Sequence, residues 1–404
     1  MVRIMEGVRV LEVASWTYVP SAGAVLAEWG ADVIKVEHPE SGDPQRGLVS
    51  SGLVPAGPGG VNHMIELPNR GKRGVAIDLR SEEGRAVLGK LAATSDVFLT
   101  SFLTPTRQAL RIDVDDIRAD NPNIIYARGS GQGMRGPEKD RGGFDGCSFW
   151  YRAVADIISP EGEYPAPPPG AAFGDMLGGL TIAGGICAAL FHRERTGEAL
   201  VVDNSLLATA MWATSGTILM AGMFGFSKLP RGDRTAGPNP LVNTYRTKDG
   251  RFISLMMLQG DKYWPELVRA VGRAELAEDG RFADGASRYE NRRECVGVLD
   301  EIFATRTLDD WRHSLADIEG VWAPVQSSGE LLDDPQILAN GYSTELEHST
   351  GTKFRMIPSP IQFNEEPASL VPAPEHGEHT DEILLEAGYS LDEVIDLKVR
   401  GAIL

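Results

Sequence analysis

Residues 7–37, GVRVLEVASWTYVPSAGAVLAEWGADVIKVE, contain a strand pattern, a helix pattern and a second strand pattern in close succession. VRVLEV (8–13) and ADVIKVE (31–37) are short valine-rich runs of the kind that form buried strands. SAGAVLAEWG (21–30) separates them and has the composition of a helix. Because two parallel strands cannot be joined by a tight turn, a helix between two buried strands favours parallel pairing. The stretch therefore predicts an α/β fold around a parallel sheet.

The same alternation continues along the chain. Helix patterns in SEEGRAVLGKLAATS (81–95) and DVDDIRADNP (113–122) alternate with strand patterns in DVFLTS (96–101) and NIIYARG (123–129). No Gly-x-Gly-x-x-Gly motif follows the first strand and no P-loop motif occurs, so a standard dinucleotide or P-loop site is unsupported. Farther on, NTYRTKDGRFISLMML (243–258) predicts a β-hairpin with Asp-Gly at its turn.

Composition restricts the class of protein. The chain has 404 residues, enough for two or three domains, and a formal net charge of −18, which disfavours nucleic acid or an anionic membrane as a partner. Three cysteines without a Cys-x-x-Cys pair indicate a reducing compartment and neither a disulfide framework nor a zinc ribbon, so we expect no metal site. We see no signal-peptide pattern and no uninterrupted apolar run of about 18 residues, and we expect a cytoplasmic protein.

One carboxylate stands at the beginning of a long apolar run. Asp175 follows Gly174 and precedes a strong helix pattern, which predicts an N-cap whose carboxylate the helix dipole keeps ionised. The alternative is a nucleophile, because carboxylates also serve as covalent catalysts. Glycines at 174, 178 and 179 would let a bulky substrate approach the backbone. The two interpretations are compatible, since a capping group that faces a pocket can also react.

The chain resembles the class III CoA-transferase family, which also contains the α-methylacyl-CoA racemases. The resemblance rests on the segment 7–37 and on further stretches in the family's order, among them NRGKRGVAIDLRSEEGRAVL (69–88), GFD (143–145), FGDMLGG (173–179), LFHRERTG (190–197), VVDNSLL (201–207), YRTKDGRFISL (245–255), RYENRRE (288–294), GVWAPVQSSGELLDDPQ (320–336) and GEHTDEIL (377–384).

The resemblance implies a Rossmann-like large domain, a smaller α/β domain and a C-terminal segment that returns to the large domain. We place the large domain at 1–227, a linker at 228–240, the small domain at 241–330 and the return segment at 331–404. It further implies a homodimer of two interlocked rings.

The family's catalytic aspartate corresponds to Asp175. The resemblance implies that its carboxylate attacks an acyl-CoA thioester to form an aspartyl anhydride, after which CoA passes to an acceptor acid, so CoA is a substrate and we expect no resident cofactor. Racemases carry a histidine where this chain has Phe144, and phenylalanine cannot transfer a proton. That favours a transferase over the racemase alternative. A non-catalytic acyl-CoA-binding protein is the alternative of another class. The neighbouring Asp145 is either a pocket residue or a structural cap.

CoA phosphates need local cations in an acidic protein. The segment 69–80 supplies several basic residues, and the resemblance places the nucleotide near its end. Positions that match the family's CoA contacts, with nearby basic substitutes, are His38, Arg73, Ile77, Leu79, Arg80, Ser101, Phe102, Arg107 and Arg141. For the acyl group we name Trp16, Thr17 and Tyr18 together with Phe144 and Asp145. Two aromatic residues at 16–18 indicate a different acyl group from oxalate or formate, or else core packing behind the first strand. LMMLQGD (255–261) stands where formyl-CoA transferases have a glycine run, and so apolar a stretch fits a larger and less polar acyl group.

Overall fold

The computed structural model describes residues 2–159, 162–228 and 233–404. These residues form two compact units, one of the described residues up to 228 together with 335–404, the other of residues 233–334. The linker predicted over 228–240 includes residues 229–232, which lie outside the described residues. The domain boundaries predicted from the sequence, 1–227, 241–330 and 331–404 with the linker at 228–240, stay a prediction.

A six-stranded sheet in which all neighbouring strands are parallel lies in the first unit, with the order β3-β2-β1-β4-β5-β6. This confirms the predicted α/β fold with a parallel sheet. Its strands are β1 (Arg9–Val13), β2 (Asp32–Glu37), β3 (Arg73–Ala76), β4 (Val97–Thr100), β5 (Ile125–Ser130) and β6 (Val201–Ser205). Because the strand order reverses at β1 and β4, a crevice is expected outside their carboxyl ends, where open α/β sheets bind ligands.

Helices connect these strands. They are α1 (Tyr18–Glu28), α2 (Arg46–Ser50), α3 (His63–Asn69), α4 (Glu82–Ala92), α5 (Thr104–Leu110), α6 (Val114–Asp120), α7 (Ala155–Ile158), α8 (Phe173–Thr196), α9 (Leu206–Ala213) and α10 (Ser215–Phe224). A π-helical turn, Asp145–Tyr151, precedes α7.

Apolar side chains cover both faces of the sheet, because successive strand residues point to opposite sides. Val10 of β1 belongs to a cluster that includes Val25 of α1 and Ile182 of α8. Leu11, the next residue, belongs to a second cluster on the other face with Phe98 of β4. The sheet is therefore a buried central layer, and its strand ends are free to present loops.

The second unit has its own core. An antiparallel sheet of order β7-β8-β9 contains β7 (Val242–Arg246), β8 (Phe252–Met256) and β9 (Trp322–Pro324), with the predicted hairpin turn at Asp249 and Gly250. Helices α11 (Gly260–Ala270), α12 (Gly285–Glu290), α13 (Arg292–Phe303), α14 (Leu308–Ser314) and α15 (Ser328–Leu332) complete the unit. Trp264 and Trp311 are buried at its centre.

The last seventy or so residues rejoin the first unit. They form α16 (Pro335–Ala339), the hairpin β10 (Thr344–Glu347) and β11 (Lys353–Met356), and helices α17 (Thr380–Glu386) and α18 (Leu391–Val399). Ile383 and Leu397 pack into the second cluster of the sheet, and Ile403 forms an isolated β-bridge with Ile77. The C-terminal segment is thus part of the core of the first unit.

Helix α8 is long and apolar enough, by length and composition, to span a membrane, and α9 with α10 meets the same criterion across a bend of 70°. The uninterrupted apolar run within α8 lies between Asp175 and His192, so the helix meets the criterion by its mean hydropathy. Core helices of globular proteins meet the criterion as well, and α8 packs against α1, β5 and β6.

Candidate active site

The loops after β1 and β4 and the first turn of α8 enclose a cavity of about 310 Å³ at the predicted crevice. Ser15 and Trp16 come from the first loop, Tyr18 is the first residue of α1, and Asp175 comes from α8. The remaining lining residues are Pro44, Ser101, Phe102, Leu103, Thr106, Gly129, Ser130, Gly131, Gly142, Gly143, Phe144 and Leu206. Among these residues Asp175 is the only carboxylate, and no Lys, Arg or His is present.

A second cavity of about 800 Å³ adjoins the first. The two share lining residues Ser15, Pro44, Phe102 and Thr106. The larger cavity extends over the carboxyl ends of β2 and β3, where its walls include His38, Ile77, Leu79 and Arg80. Together the two cavities make one cleft along the strand ends, with Asp175 at one end and a basic residue at the other.

Asp175 does not cap its helix, contrary to the prediction. Helix α8 begins two residues earlier, at Phe173, and its N-cap is Ala172 in a left-handed conformation (φ 63°). The Asp175 side chain makes no cap hydrogen bond and is half-buried. Burial, and then the negative charge of Asp145, raises the pKa of Asp175 to about 7. Burial thus disfavours the ionised form that the capping interpretation predicted.

Asp145 takes the capping role. Its Oδ1 accepts a hydrogen bond from the backbone N–H of Gly174 at 3.0 Å, and the N–H of Phe173 also stabilises the ionised form. Asp145 is buried at the start of the π-helical turn, and burial raises its pKa despite these two donors. Of the two interpretations left open, the structural cap is the one that the structure shows. The residue affects the cavity through its charge on Asp175.

The three glycines of the first turns of α8 make room for protein atoms and not for substrate. A Cβ at Gly174 would lie 2.3 Å from the Phe149 ring, and one at Gly179 would lie 1.9 Å from Oγ of Ser21. A Cβ at Gly178 would lie 2.3 Å from the ring of Tyr18. The expectation of open space for a bulky substrate beside these glycines was wrong. They let α1 and the π-helical turn approach α8 closely.

Trp16 forms an aromatic wall of the cavity with Phe144. The two rings meet edge to face with centroids 5.3 Å apart, and Phe144 is 60% exposed. Trp16 has a left-handed backbone (φ 70°), which is strained for so large a residue. Thr17 does not line the cavity: it is buried, and its hydroxyl accepts a hydrogen bond from Nε2 of Gln45 at 3.0 Å.

A buried charged pair supports the Trp16 backbone. Asp43 accepts a hydrogen bond from the Trp16 N–H on Oδ1 at 3.2 Å, while Oδ2 accepts one from Nζ of Lys35 at 2.9 Å. Lys35 also donates to the carbonyl of Ala14 at 3.0 Å. Sequence analysis missed this pair. A lysine between valines in the apolar strand VIKVE was the available signal, because a buried lysine requires a partner.

The structure brings several predicted CoA residues to the cleft. Ile77, Leu79 and Arg80 line the larger cavity beside His38, whose Nε2 lies 3.7 Å from Oδ1 of Asp78. The Arg80 side chain is exposed, and among the described residues its guanidinium has no hydrogen-bond or ion-pair partner.

The passage between the cavities contains two further predicted residues. Phe102 lines both cavities, and Ser101 lines the smaller one. The Ser101 hydroxyl accepts a hydrogen bond from the N–H of Ser15 at 3.0 Å, which ties the loops after β1 and β4 together.

Three predicted arginines do not line either cavity. Arg73 is the first residue of β3 and so lies at the amino ends of the strands, away from the cavities at their carboxyl ends. There it forms ion pairs with Asp32, Glu382 and Glu386. Arg107 is buried, and its guanidinium donates to Asp113, Thr104 and the carbonyl of Phe102. Arg141 is exposed and paired with Glu138. Likewise, Arg70 and Lys72 are buried in ion pairs with Glu28 and Glu12. The number of basic residues in a segment such as 69–80 does not show which of them have a carboxylate partner in the fold and which, like Arg80, remain available to a ligand.

Other lining residues were missed. Gly129–Gly131 at the end of β5 and Leu206 at the start of α9 contribute to the small cavity. The strand end itself was the available signal, since neighbouring parallel strands bring their carboxyl ends to one edge.

Comparison with known proteins identifies the family of the chain. A family model described as CoA-transferase family III matches residues 5–380. The chain is 33% identical over 397 residues to (R)-2-hydroxy-4-methylpentanoate CoA-transferase of Clostridioides difficile, covering 98% of each chain. It is 30% identical over 400 residues to cinnamoyl-CoA:phenyllactate CoA-transferase of Clostridium sporogenes, covering 98% of this chain and 96% of the relative.

Solved structures with similar folds cover nearly the whole chain. A CAIB/BAIF family protein from Brucella suis superposes with a TM-score of 0.80 at 29% identity, covering 95% of this chain and 99% of its own. Rv3272 from Mycobacterium tuberculosis gives a TM-score of 0.77 at 28% identity, covering 94% and 98%. The match of the family model over residues 5–380 and the relatives at 30–33% identity show that the chain belongs to CoA-transferase family III.

Proposed function

We propose that the protein transfers CoA from an acyl-CoA thioester to a free carboxylic acid through a covalent intermediate on Asp175. The observation that carries the proposal is the position of Asp175 at one end of the cleft, where it is the only carboxylate among the described residues that line the small cavity. Family membership supports the same chemistry, since the relatives described above are named as CoA-transferases.

The steps follow from a carboxylate and a thioester. A carboxylate oxygen of Asp175 bonds to the thioester carbonyl carbon, and the C–S bond breaks to give a mixed anhydride and CoA thiolate. The thiolate then attacks the aspartyl carbonyl, which releases the donor acid and leaves an aspartyl-CoA thioester. An acceptor carboxylate attacks that thioester, and thiolate attack on the resulting anhydride forms the new acyl-CoA and restores Asp175. Each step exchanges one acyl bond for another, so no resident cofactor is needed.

CoA fits the cleft in one direction. Its phosphates would lie at the end with Arg80 and His38, where Ile77 and Leu79 offer apolar contact to the nucleotide base. Its pantetheine arm would pass Phe102 and reach the small cavity. In a protein of net charge −18, an unpaired guanidinium in the cleft is the group best suited to hold an anion.

The acyl group we propose is uncharged apart from its reacting carboxyl. No Lys, Arg or His occurs among the described residues that line the small cavity, so a second carboxylate would be buried there without a counter-charge. Trp16, Phe102, Leu103, Phe144 and Leu206 instead offer apolar surface. The names of the two relatives, which contain branched and aromatic monocarboxylic acids, fit this class.

We further propose a homodimer of interlocked chains in the cytoplasm, without a nucleic-acid or membrane partner. Support for the dimer comes from α10, which has no buried residue and exposes Met223 by 70% and Phe224 by 65%. An apolar surface of this kind indicates a protein partner. Sedimentation at several concentrations would give a monomer mass if the proposal is wrong.

Replacement of the proposed nucleophile tests the chemistry. Incubated with an apolar acyl-CoA, the wild-type protein should acquire a covalent adduct that intact-protein mass spectrometry detects and neutral hydroxylamine removes. Asp175→Asn should form no adduct and should lose exchange between acyl-CoA and labelled acid, while binding CoA as before. Asp115→Asn, an exposed carboxylate in the first turn of α6, is the matched control and should behave as wild type. Normal exchange by Asp175→Asn would show that Asp175 is not the nucleophile.

A further inference from the structure

The hydroxyl of Tyr18 has no hydrogen-bond partner among the described residues, although the side chain is buried (8% exposed). Tyr18 is the first residue of α1, and it lines the same cavity as Asp175. Leaving a buried polar group without a partner is unfavourable, and a phenylalanine would avoid that cost. A tyrosine at this position therefore calls for an acceptor that the described residues do not provide.

Two glycines hold the Tyr18 ring in place. A Cβ at Gly178 of α8 would lie 2.3 Å from ring atom Cε2, and a Cβ at Gly129 of β5 would lie 2.8 Å from Cε1. The ring thus occupies space that any side chain at either glycine would fill. Because both edges of the ring are blocked, the direction of the hydroxyl is fixed by packing.

A hydroxyl bridge fixes Tyr18 relative to Asp175. Oγ of Ser21 donates to the carbonyl of Tyr18 at 2.7 Å and approaches the carbonyl of Asp175 at 3.2 Å. The beginnings of α1 and α8 are therefore joined at the residues that line the cavity. Burial, and then the charge of Asp175, raises the pKa of Tyr18, so the phenol keeps its proton and remains a donor.

The start of α8 offers few other donors for a negative charge. Asp145 already engages the N–H groups of Gly174 and Phe173. The N–H of Met176 bonds to the carbonyl of Ala172. Attack on a thioester nevertheless places a full charge on the carbonyl oxygen, and a preorganised donor at that point is a large contribution to catalysis.

We propose that the Tyr18 hydroxyl is a catalytic hydrogen-bond donor to the oxyanion formed when Asp175 attacks the thioester carbonyl. The inference rests on the proposed function. As the Asp175 oxygen bonds to the carbonyl carbon, the C=O electron pair moves to oxygen, and the Tyr18 O–H donates to it. When the oxyanion collapses, the C–S bond breaks and CoA leaves as thiolate. Tyr18 keeps its proton throughout.

Tyr18→Phe isolates the hydroxyl because it keeps the ring between its two glycines. With benzoyl-CoA as the probe, rapid-quench mass spectrometry of the full-length protein gives the rate of adduct formation on Asp175. We expect that rate to fall about 10²- to 10³-fold, the usual effect of losing one oxyanion donor. The KM for benzoyl-CoA should stay within about threefold, since the contact forms only in the transition state. The melting temperature should stay equal or rise, because an unpartnered buried group is removed.

Tyr126→Phe is the matched control. The Tyr126 hydroxyl is also buried, but it donates to the carbonyl of Ile112 at 2.8 Å, away from the cleft. Its removal should lower the melting temperature and leave adduct formation unchanged. If the wild type forms the adduct and Tyr18→Phe forms it at the same rate, the proposed role of Tyr18 is wrong and the proposed function is unaffected. If the wild type itself formed no adduct with benzoyl-CoA or with an aliphatic acyl-CoA, the proposed function would fall together with the role of Tyr18.

Discussion

The surroundings of Asp175 disfavour its ionised form, which bears on its proposed role as nucleophile. Asp175 lies half-buried, beside the charge of Asp145, and its own side chain makes no cap hydrogen bond. A carboxylate saturated by backbone donors would be stable and a poor nucleophile, whereas one whose ionised form is disfavoured gains by forming a bond. Asp145 stabilises the helix start, so Asp175 is left free for chemistry.

This arrangement predicts opposite pH trends for activity and stability. Asp175 must be ionised to attack, so kcat/KM for acyl-CoA should rise as pH increases through about 7 and level off above it. A raised folded-state pKa means that the folded protein binds the proton more tightly than the unfolded chain. The stabilisation is therefore complete below the unfolded value of 3.8 and is lost as pH rises to about 7.

The stability trend can be measured with Asp175→Asn. Three pKa units correspond to about 4 kcal/mol, and the open cavity reduces this to about 1–3 kcal/mol. Asp175→Asn should accordingly melt higher than wild type at pH 8 and show a smaller gain at pH 5, while Asp115→Asn shows no such trend. A kcat/KM that is flat from pH 5 to 9 would contradict the prediction.

Arg80 predicts a binding effect without a chemical one. If its guanidinium holds a CoA phosphate, Arg80→Ala should raise the KM for acyl-CoA about ten- to hundredfold with little change in kcat. The effect should diminish as salt concentration increases. Arg73→Ala is the control, because Arg73 pairs with carboxylates at the amino ends of the strands, away from the cleft. This variant should leave KM unchanged. If Arg80→Ala had the same KM as wild type, the phosphate site would have to lie elsewhere.

At the scale of elements, the contact between α1 and α8 determines the site. The small residues of α8 allow the two helices to approach until Ser21 and Tyr18 touch the α8 backbone. Glycine is a poor helix residue, so its use in α8 has a local cost that close packing offsets. The glycines of this helix are consequently of two kinds, those that meet α1 and those that do not.

A matched pair of substitutions separates the two kinds of glycine. Gly178→Ala places a Cβ 2.3 Å from the Tyr18 ring and should destabilise the protein by about 1–3 kcal/mol. Gly184→Ala, in the same helix, meets nothing within 4 Å and should be neutral or stabilise by up to about 1 kcal/mol through better helix propensity. Chemical denaturation measures both. A stability gain for Gly178→Ala would mean that the ring is loosely held.

At the scale of the whole molecule, residues distant in sequence complete one core. Ile383 of α17 packs with strands formed in the first hundred residues. The N–H of Ser359 donates to Glu28 of α1 at 2.8 Å, and Arg46 donates to the carbonyl of Pro374 at 3.1 Å. The first unit is therefore incomplete until the last segment has been added.

Substitutions in that segment test its contribution. Ile383→Ala, at a position 1% exposed, should lower the free energy of unfolding by about 2–5 kcal/mol. Val399→Ala in α18, 81% exposed, should change it by less than about 0.5 kcal/mol. If both variants unfolded like wild type, the C-terminal segment would not be part of the cooperative core.

Local pattern predicted the strands and the parallel sheet, because these depend on periodicity. The resemblance placed the nucleophile at Asp175, and that role stays a prediction. Local pattern failed where a choice depends on distant partners. Asp145 rather than Asp175 caps α8. In the folded protein Arg73 forms an ion pair with Asp32, and Arg107 forms one with Asp113. The fold also assigns the glycines of α8 to Tyr18 and Ser21, which lie more than a hundred and fifty residues earlier.

The left-handed backbone at Trp16 bears on how the protein can evolve. A glycine there would relieve about 1–2 kcal/mol of backbone strain while removing an aromatic wall of the small cavity. One base change converts the tryptophan codon TGG to the glycine codon GGG. A mutation that enlarges the small cavity therefore also relaxes the main chain, whereas a return to an aromatic residue must restore the strain.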